Sequence, residues 1–243
     1  MRCAAVMVLL AICALPAAAA RTRAVRLPRA ILWIGAHPDD EILIAPILGR
    51  DCVERGARCS LLVLTQGEGG GSVAVRAAEM QRAADMLHAT LTLWTFSDVP
   101  TNVDATWSAE AGGREALVTR IATEIAAAAP VVVYTFDPHH GSTCHPAHRA
   151  LGALVIEAIA RVAPAPTLFL VETTSTFGSA VANPIVIDAS AHWSYFVRDA
   201  QLHASQFPPE QIETFANLPY EHRRVYLIDA NGAARAMYSF TCP

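Results

Sequence analysis

The chain has 243 residues and a formal charge of −4, from 18 basic and 22 acidic side chains. With no basic stripe along it, that balance argues against a nucleic-acid partner. The length suits one domain that buries a large core on its own.

Met1 to Ala20 begins with an arginine, runs through an almost unbroken apolar stretch and leaves through Leu15-Pro16 and a run of alanines. The pattern predicts a cleaved signal peptide over residues 1–20, and with it a periplasmic or extracellular protein. A membrane anchor is the competing reading, but the run is short for a span of about 20 apolar residues. Residues 21–243 contain no linker, repeat or low-complexity tract and read as one domain. Its cysteines are Cys52, Cys59, Cys144 and Cys242. The first two flank an expected helix end and strand start, which suits a local disulfide in an exported chain. Cys144 has two readings, a bridge to Cys242 or a thiol nucleophile, and an exported reactive thiol would oxidise. No CxxC pair is present, which argues against a structural zinc knot.

Ile31 to Ala36 is a continuous apolar run and predicts a buried parallel strand. A helix is expected from about Asp39 to Arg55, stopped by Gly56. Ser60 to Thr65 is the next strand. The glycine-rich loop Gly67 to Gly71 follows it, and lacks both GxGxxG and GK[ST], so it reads as a rim or lid rather than a phosphate loop. A helix from Val75 to Ala89 would bury Ala78, Ala83, Met86 and Leu87. Thr90 to Phe96 is a strand, Ser97 to Asn102 a loop, Arg114 to Ala129 a helix and Val131 to Thr135 a strand. The loop Phe136 to Cys144 leads into a helix from His145 to about Val162. Strands at Thr167–Glu172, Ile185–Ile187 and Arg224–Asp229, with a helix over His192–His203, complete the chain. Alternating strands and helices predict an α/β fold with a doubly wound, Rossmann-like, mostly parallel sheet and helices on both faces. Ligands of such sheets sit at the carboxyl ends of the strands.

Two segments at those ends carry the chemistry. His37-Pro38-Asp39-Asp40-Glu41 stands between the first strand and the first helix. Helix punctuation accounts for Pro38 and one acid, but not for a histidine closing a buried strand beside three consecutive acids, whose repulsion calls for a cation. Asp137 to His148 follows the fourth strand, and His145 and His148 are spaced to face one way from a first helical turn. An exposed histidine loop would explain the second segment alone, but not both segments at one edge.

His37-Pro38-Asp39-Asp40-Glu41 resembles the AHPDDE signature of the PIG-L/LmbE-like N-acetylglucosaminyl deacetylases, and His145-Pro146-Ala147-His148 resembles their second motif. Thr135-Phe136-Asp137, Thr65-Gln66-Gly67-Glu68, Arg76 with Glu79, Asp98 and His203-Ala204-Ser205-Gln206 extend the likeness in order over nearly the whole domain. The resemblance implies Zn2+ held by His37, Asp40 and His148, with Fe2+ or Co2+ as other ions such a site suits. It implies Asp39 as general base, His145 as acid or oxyanion stabiliser, and Arg76 and Asp98 as substrate-binding residues. Against the last two stand an Arg76–Glu79 pair on one helix and a turn cap at Asp98. The implied substrate is a small molecule or glycan bearing an N-acylated amino sugar. A non-sugar amide, or a catalytically weak zinc-containing sugar-binding protein, are the other readings. Ala147 departs from the family by replacing the acid or amide between the histidines. It leaves His145 less basic, or leaves its support to another acid such as Asp137 or Glu172. Thr143 stands where some members place a tyrosine.

Overall fold

The computed structural model describes residues 29–174, 177–231, 238 and 242. The expected leader, residues 1–20, lies outside them. A seven-stranded sheet carries the fold, in the order β3-β2-β1-β4-β5-β7-β6. β1 (Ala30–Gly35), β2 (Arg58–Thr65), β3 (Ala89–Phe96), β4 (Val132–Phe136) and β5 (Thr167–Val171) pair in parallel. β7 (Arg224–Asp229) runs antiparallel to β5 and to β6 (Ile185–Asp188). β1 sits centrally and all its residues are buried, as its unbroken apolar run requires.

The helices form two packed groups, one on each face of the sheet. α3 (Val103–Glu110), α4 (Arg114–Ala128) and α6 (Pro146–Ile159) pack together. α1 (Ala45–Leu48), α2 (Val73–Met86), α7 (Trp193–Leu202) and α8 (Pro209–Ala216) form the other group, and α5 (Gly141–Cys144) is a single turn before α6. The chain reverses its winding between β1 and β4, so the crevice beyond their carboxyl ends is the switch point where doubly wound sheets bind ligands.

Three expectations change. The helix expected from Asp39 to Arg55 is a composite: 3-10 over Asp40–Ile44, α over Ala45–Leu48 and π over Gly49–Glu54. Pro46, in the first turn of α1, has no N–H to give the preceding turn, which resets the hydrogen-bond pattern there. Two short helices, α3 and α8, lie where no element was expected. The buried face of α2 holds Arg76, Glu79, Met80, Ala83 and Ala84, while Ala78 points outward. The face is rotated because Arg76 and Glu79 have partners inside, described below.

Cys52 bridges Cys59, and Cys144 bridges Cys242. Cys144 is thus a half-cystine rather than a thiol nucleophile.

Candidate active site

β1 delivers the first segment. Its last residue, Gly35, lets Asp40 close in, since a Cβ there would lie 3.2 Å from the Asp40 Cβ. Asp40 Oδ2 accepts the amide hydrogens of Ala36 at 2.7 Å and His37 at 2.8 Å. These two bonds tie the acid to the end of the strand and aim Oδ1 outward. His148 Nε2 lies 3.0 Å from that oxygen, and His37 Nδ1 lies 3.6 Å from Oδ2.

β4 and α6 deliver the second segment. Pro146 opens α6, and the residue before it, His145, is extended and caps the helix. Its Nδ1 accepts the Ala147 amide at 3.3 Å, so the neutral ring carries its proton on Nε2. His148 stacks on Phe136, the last residue of β4, with centroids 3.8 Å apart. Gly152 allows this approach of α6 to β4, because a Cβ there would overlap the Phe136 carbonyl. His148 Nδ1 faces the Gly141 carbonyl at 3.0 Å, which leaves Nε2 with a free lone pair in the neutral ring. Ring nitrogens of His37, His145 and His148 lie within 4.8 Å of one another.

Asp98 and Arg76 complete a cleft of about 480 Å³, lined also by Asp39, Gly69, Gly70 and Pro100. Asp98 Oδ1 is 3.2 Å from His37 Nε2, and Asp98 Oδ2 accepts the Gly69 amide at 3.2 Å. Arg76 is 4 % exposed. It donates to Asp39 Oδ2 at 3.0 Å, to Gln206 Oε1 at 2.7 Å and to the Pro38 carbonyl. These bonds, and not the competing pair with Glu79, hold Arg76, while Glu79 accepts from the Ser205 amide and hydroxyl at 3.0 and 2.5 Å. The glycine loop is glycine for want of space: a Cβ on Gly69 would lie 2.8 Å from Asp98 Oδ2, and one on Gly70 would overlap Arg76.

The electrostatics follow from this packing. Burial works against charge on His37, but Asp40 and Asp98 outweigh it and push the ring up to about 10. Asp40 is buried too, yet His148 and His37 hold it well below the usual carboxylate range. The acids that favour a proton on His37 favour any cation at that place. Burial, and then the charge of Asp40, push Asp39 up to about 7, against the pull of Arg76 and His203. Burial, with His148 and His37 beside it, pulls His145 down to about 4.

Of the acids that could have replaced the one missing at Ala147, Asp137 is engaged elsewhere. Asp137 Oδ2 accepts the amides of His139 and His140 at 3.1 and 2.7 Å, and Oδ1 accepts the Tyr238 hydroxyl at 2.7 Å. Burial and Asp137 together push Glu172 up to about 9.

The family model for PIG-L, GlcNAc-PI de-N-acetylase, matches residues 32–159, more than half of the chain and both histidine segments. The chain belongs to the PIG-L family. The family is one of amide-hydrolysing deacetylases. Among solved structures, the PIG-L chain is similar to the A40926 pseudoaglycone deacetylase, at 18% identity and TM-score 0.64, covering 82% of this chain and 97% of that one. It is similar to the N,N'-diacetylchitobiose deacetylase of Pyrococcus horikoshii, at 21% identity and TM-score 0.59, covering 76% and 73%. It is also similar to the 4-carboxy-2-hydroxymuconate hydratase GalB of Pseudomonas putida, at 19% identity and TM-score 0.60, covering 77% and 83%. At such identities the likeness is one of fold. No curated protein matches the chain.

Every residue expected in the site is brought to this one cleft. The sequence reading missed the Gly141 carbonyl behind His148, since a backbone contact leaves no mark on residue type. His203, in the last of the matching segments, is wholly buried.

Proposed function

We propose that this protein is a metal-dependent hydrolase that removes an N-acetyl group from a glucosamine-containing glycan, glycolipid or glycoconjugate. The observation that carries the reading is the placement of Asp39 beside the His37–Asp40–His148 cluster in one cleft. The donors fit a divalent ion. His37 Nε2 is buried and makes no well-formed hydrogen bond, although Asp98 lies 3.2 Å away. His148 Nε2 is free of its anchoring bond, and Asp40 Oδ1 lies 3.0 Å from it. Two imidazoles and one carboxylate are the ligand set of an open catalytic zinc site, and His145 stands close enough to join them. Bound there, zinc would polarise the amide carbonyl and lower the pKa of water.

The chain's own groups then divide the work. Asp39 takes the proton of the attacking water, and its raised pKa suits a base near neutrality. His145 donates its Nε2–H to the oxygen that gains charge as the carbonyl is attacked. Held at about 4, it acts as a neutral donor rather than an imidazolium. Asp39 is therefore the group that returns a proton to the departing amine. Asp98 lies beside His37 on the cleft side and faces the substrate's hydroxyls. Arg76 restrains Asp39, which leaves Asp98 as the better-placed substrate contact.

The diacetylchitobiose and pseudoaglycone substrates named for similar structures support an N-acetylated amino sugar. Ala147 favours a second reading, a zinc-containing sugar-binding protein with little turnover, because the histidine it leaves unsupported is weakly basic. Bound metal and acetate release from N-acetylglucosamine conjugates, measured on residues 21–243, decide between them. Turnover is expected in the wild type, and Asp39→Ala should keep its metal and lose activity. A zinc-loaded protein that releases no acyl group from a broad amide panel would be the binding protein. The leader pattern of residues 1–20 and the disulfides at Cys52–Cys59 and Cys144–Cys242 support export to an oxidising compartment. An N-terminus beyond Ala20 in exported material tests this.

A further inference from the structure

A buried cluster of titratable side chains lies directly behind Asp39. Glu41, Asp199 and His203 are each 0 % exposed. His203 Nε2 is 2.7 Å from Glu41 Oε1 and 3.7 Å from Asp199 Oδ1. The other Glu41 oxygen, Oε2, accepts the Asp39 amide hydrogen at 3.3 Å. Asp39 itself has φ 112 and ψ −13, a conformation that side chains other than glycine rarely adopt. Such a conformation persists only where its surroundings hold it.

The chain after His203 reaches the same residue from the other side. Gln206 Oε1 accepts from Arg76, and Arg76 donates to the Asp39 carboxylate and to the carbonyl before it. Gln206 also donates to the Gly70 carbonyl at 3.1 Å. Ser205 ties the turn to Glu79 of α2. The backbone of Asp39 is thus reached through Glu41 and its carboxylate through Arg76, and both routes start within His203–Gln206.

We infer that His203–Gln206 clamps the catalytic loop, and that His203 is a positioning residue which, through Glu41, holds Asp39 in the left-handed conformation its proton transfer needs. The inference rests on the reading of Asp39 as the base. Glu41, Asp199 and His203 also have ligand atoms within 4.8 Å of one another, the grouping of a cation site. Two bonds argue for the clamp instead: one Glu41 oxygen is on His203 and the other on the Asp39 amide. A second metal equivalent in the wild type, lost in Asp199→Asn, would overturn the clamp in favour of that site.

The test compares His203→Ala, His203→Gln and Asp39→Asn in the zinc-loaded protein. The readouts are metal content, kcat and KM on an N-acetylglucosamine conjugate, and hydrogen exchange of the segment 36–44. His203→Ala should lower kcat about 10- to 100-fold at nearly constant KM and metal content, and speed exchange in that segment. The amide side chain introduced by His203→Gln can still donate to Glu41, so this variant should restore most of kcat. A His203→Ala kcat within about twofold of wild type, a loss confined to KM or metal, or no rescue by His203→Gln overturns the inference. If His203→Ala does not fold, Gln206→Ala decides, expected to lower kcat about tenfold, with a wild-type kcat overturning the clamp. Full turnover in Asp39→Asn would instead remove the base, and the proposed mechanism with it. An inactive Asp39→Asn beside an undiminished His203→Ala would remove the clamp alone.

Discussion

His148 stands between two oxygens, the Gly141 carbonyl 3.0 Å from Nδ1 and the Asp40 carboxylate 3.0 Å from Nε2. The carbonyl fixes the ring's tautomer, and the carboxylate lies close enough to Nε2 for both to bind one cation. Asp40 is held in turn by the Ala36 and His37 amides. Asp40→Ala is therefore expected to fail in two separable ways. Bound metal should be lost by elemental analysis, and unfolding in urea should show a loss of about 1–3 kcal/mol from each amide left without an acceptor. Retained metal would remove Asp40 from the ligand set.

The pH dependence of turnover should report Asp39. A base held at about 7 is protonated and inactive below that pH, so kcat should rise as pH increases through about 7. Arg76 is among the groups that pull Asp39 down. Arg76→Gln should thus move the rising limb to higher pH as well as lower its plateau. A limb unmoved in Arg76→Gln would assign it to another group.

His145 should behave as a neutral donor. Removing the donor altogether in His145→Ala is expected to cost roughly 10²- to 10³-fold in kcat. His145→Gln keeps an N–H and should recover part of that loss, which an acid that must carry a charge would not allow. With His145 held at about 4, kcat should stay level above neutrality instead of falling. A falling limb that vanishes in His145→Gln would show a protonated His145 at work.

Much of this arrangement is legible in residue order. β1 and β4 are continuous apolar runs, and His37, Asp40, His145 and His148 follow them at spacings that a strand-to-helix junction turns toward one crevice. What is not legible depends on partners far along the chain. Ala78 looks more buried than Arg76 by residue type alone. Only the contacts of Arg76 with Asp39 and Gln206, 37 and 130 residues away, reverse that order. α8 is hidden by Pro208-Pro209, which punctuates like a loop although Pro209 opens a helix. α3 starts after Asn102 at φ 54, a turn conformation that masks the helix behind it.

The two disulfides should contribute unequally to stability. Cys52–Cys59 closes a separation of 7 residues and Cys144–Cys242 one of 98. Chain entropy in the unfolded state then favours the second, at roughly 4–5 kcal/mol against roughly 2. Cys144 also belongs to the turn whose Gly141 carbonyl orients His148. The paired change Cys144→Ser with Cys242→Ser is therefore expected to lower the unfolding midpoint in urea further than Cys52→Ser with Cys59→Ser. It should also weaken metal retention, which the change at Cys52 and Cys59 leaves alone.

Glu172 gives the fold a pH dependence of its own. Burial and the neighbouring Asp137 push its carboxyl up to about 9, from an ordinary value of 4.5. Between those values the folded chain holds a proton that the unfolded chain has released. Folding then binds protons, so stability is greatest below about 4.5 and declines as pH rises toward 9. One group imposes a slope of at most about 1.4 kcal/mol per pH unit, and relaxation around the buried pair reduces it. Glu172→Gln keeps the shape and abolishes this titration. Unfolding free energies from about pH 5 to about pH 8 should fall less steeply in Glu172→Gln than in the wild type, and parallel slopes would show that Glu172 is ionised in the fold.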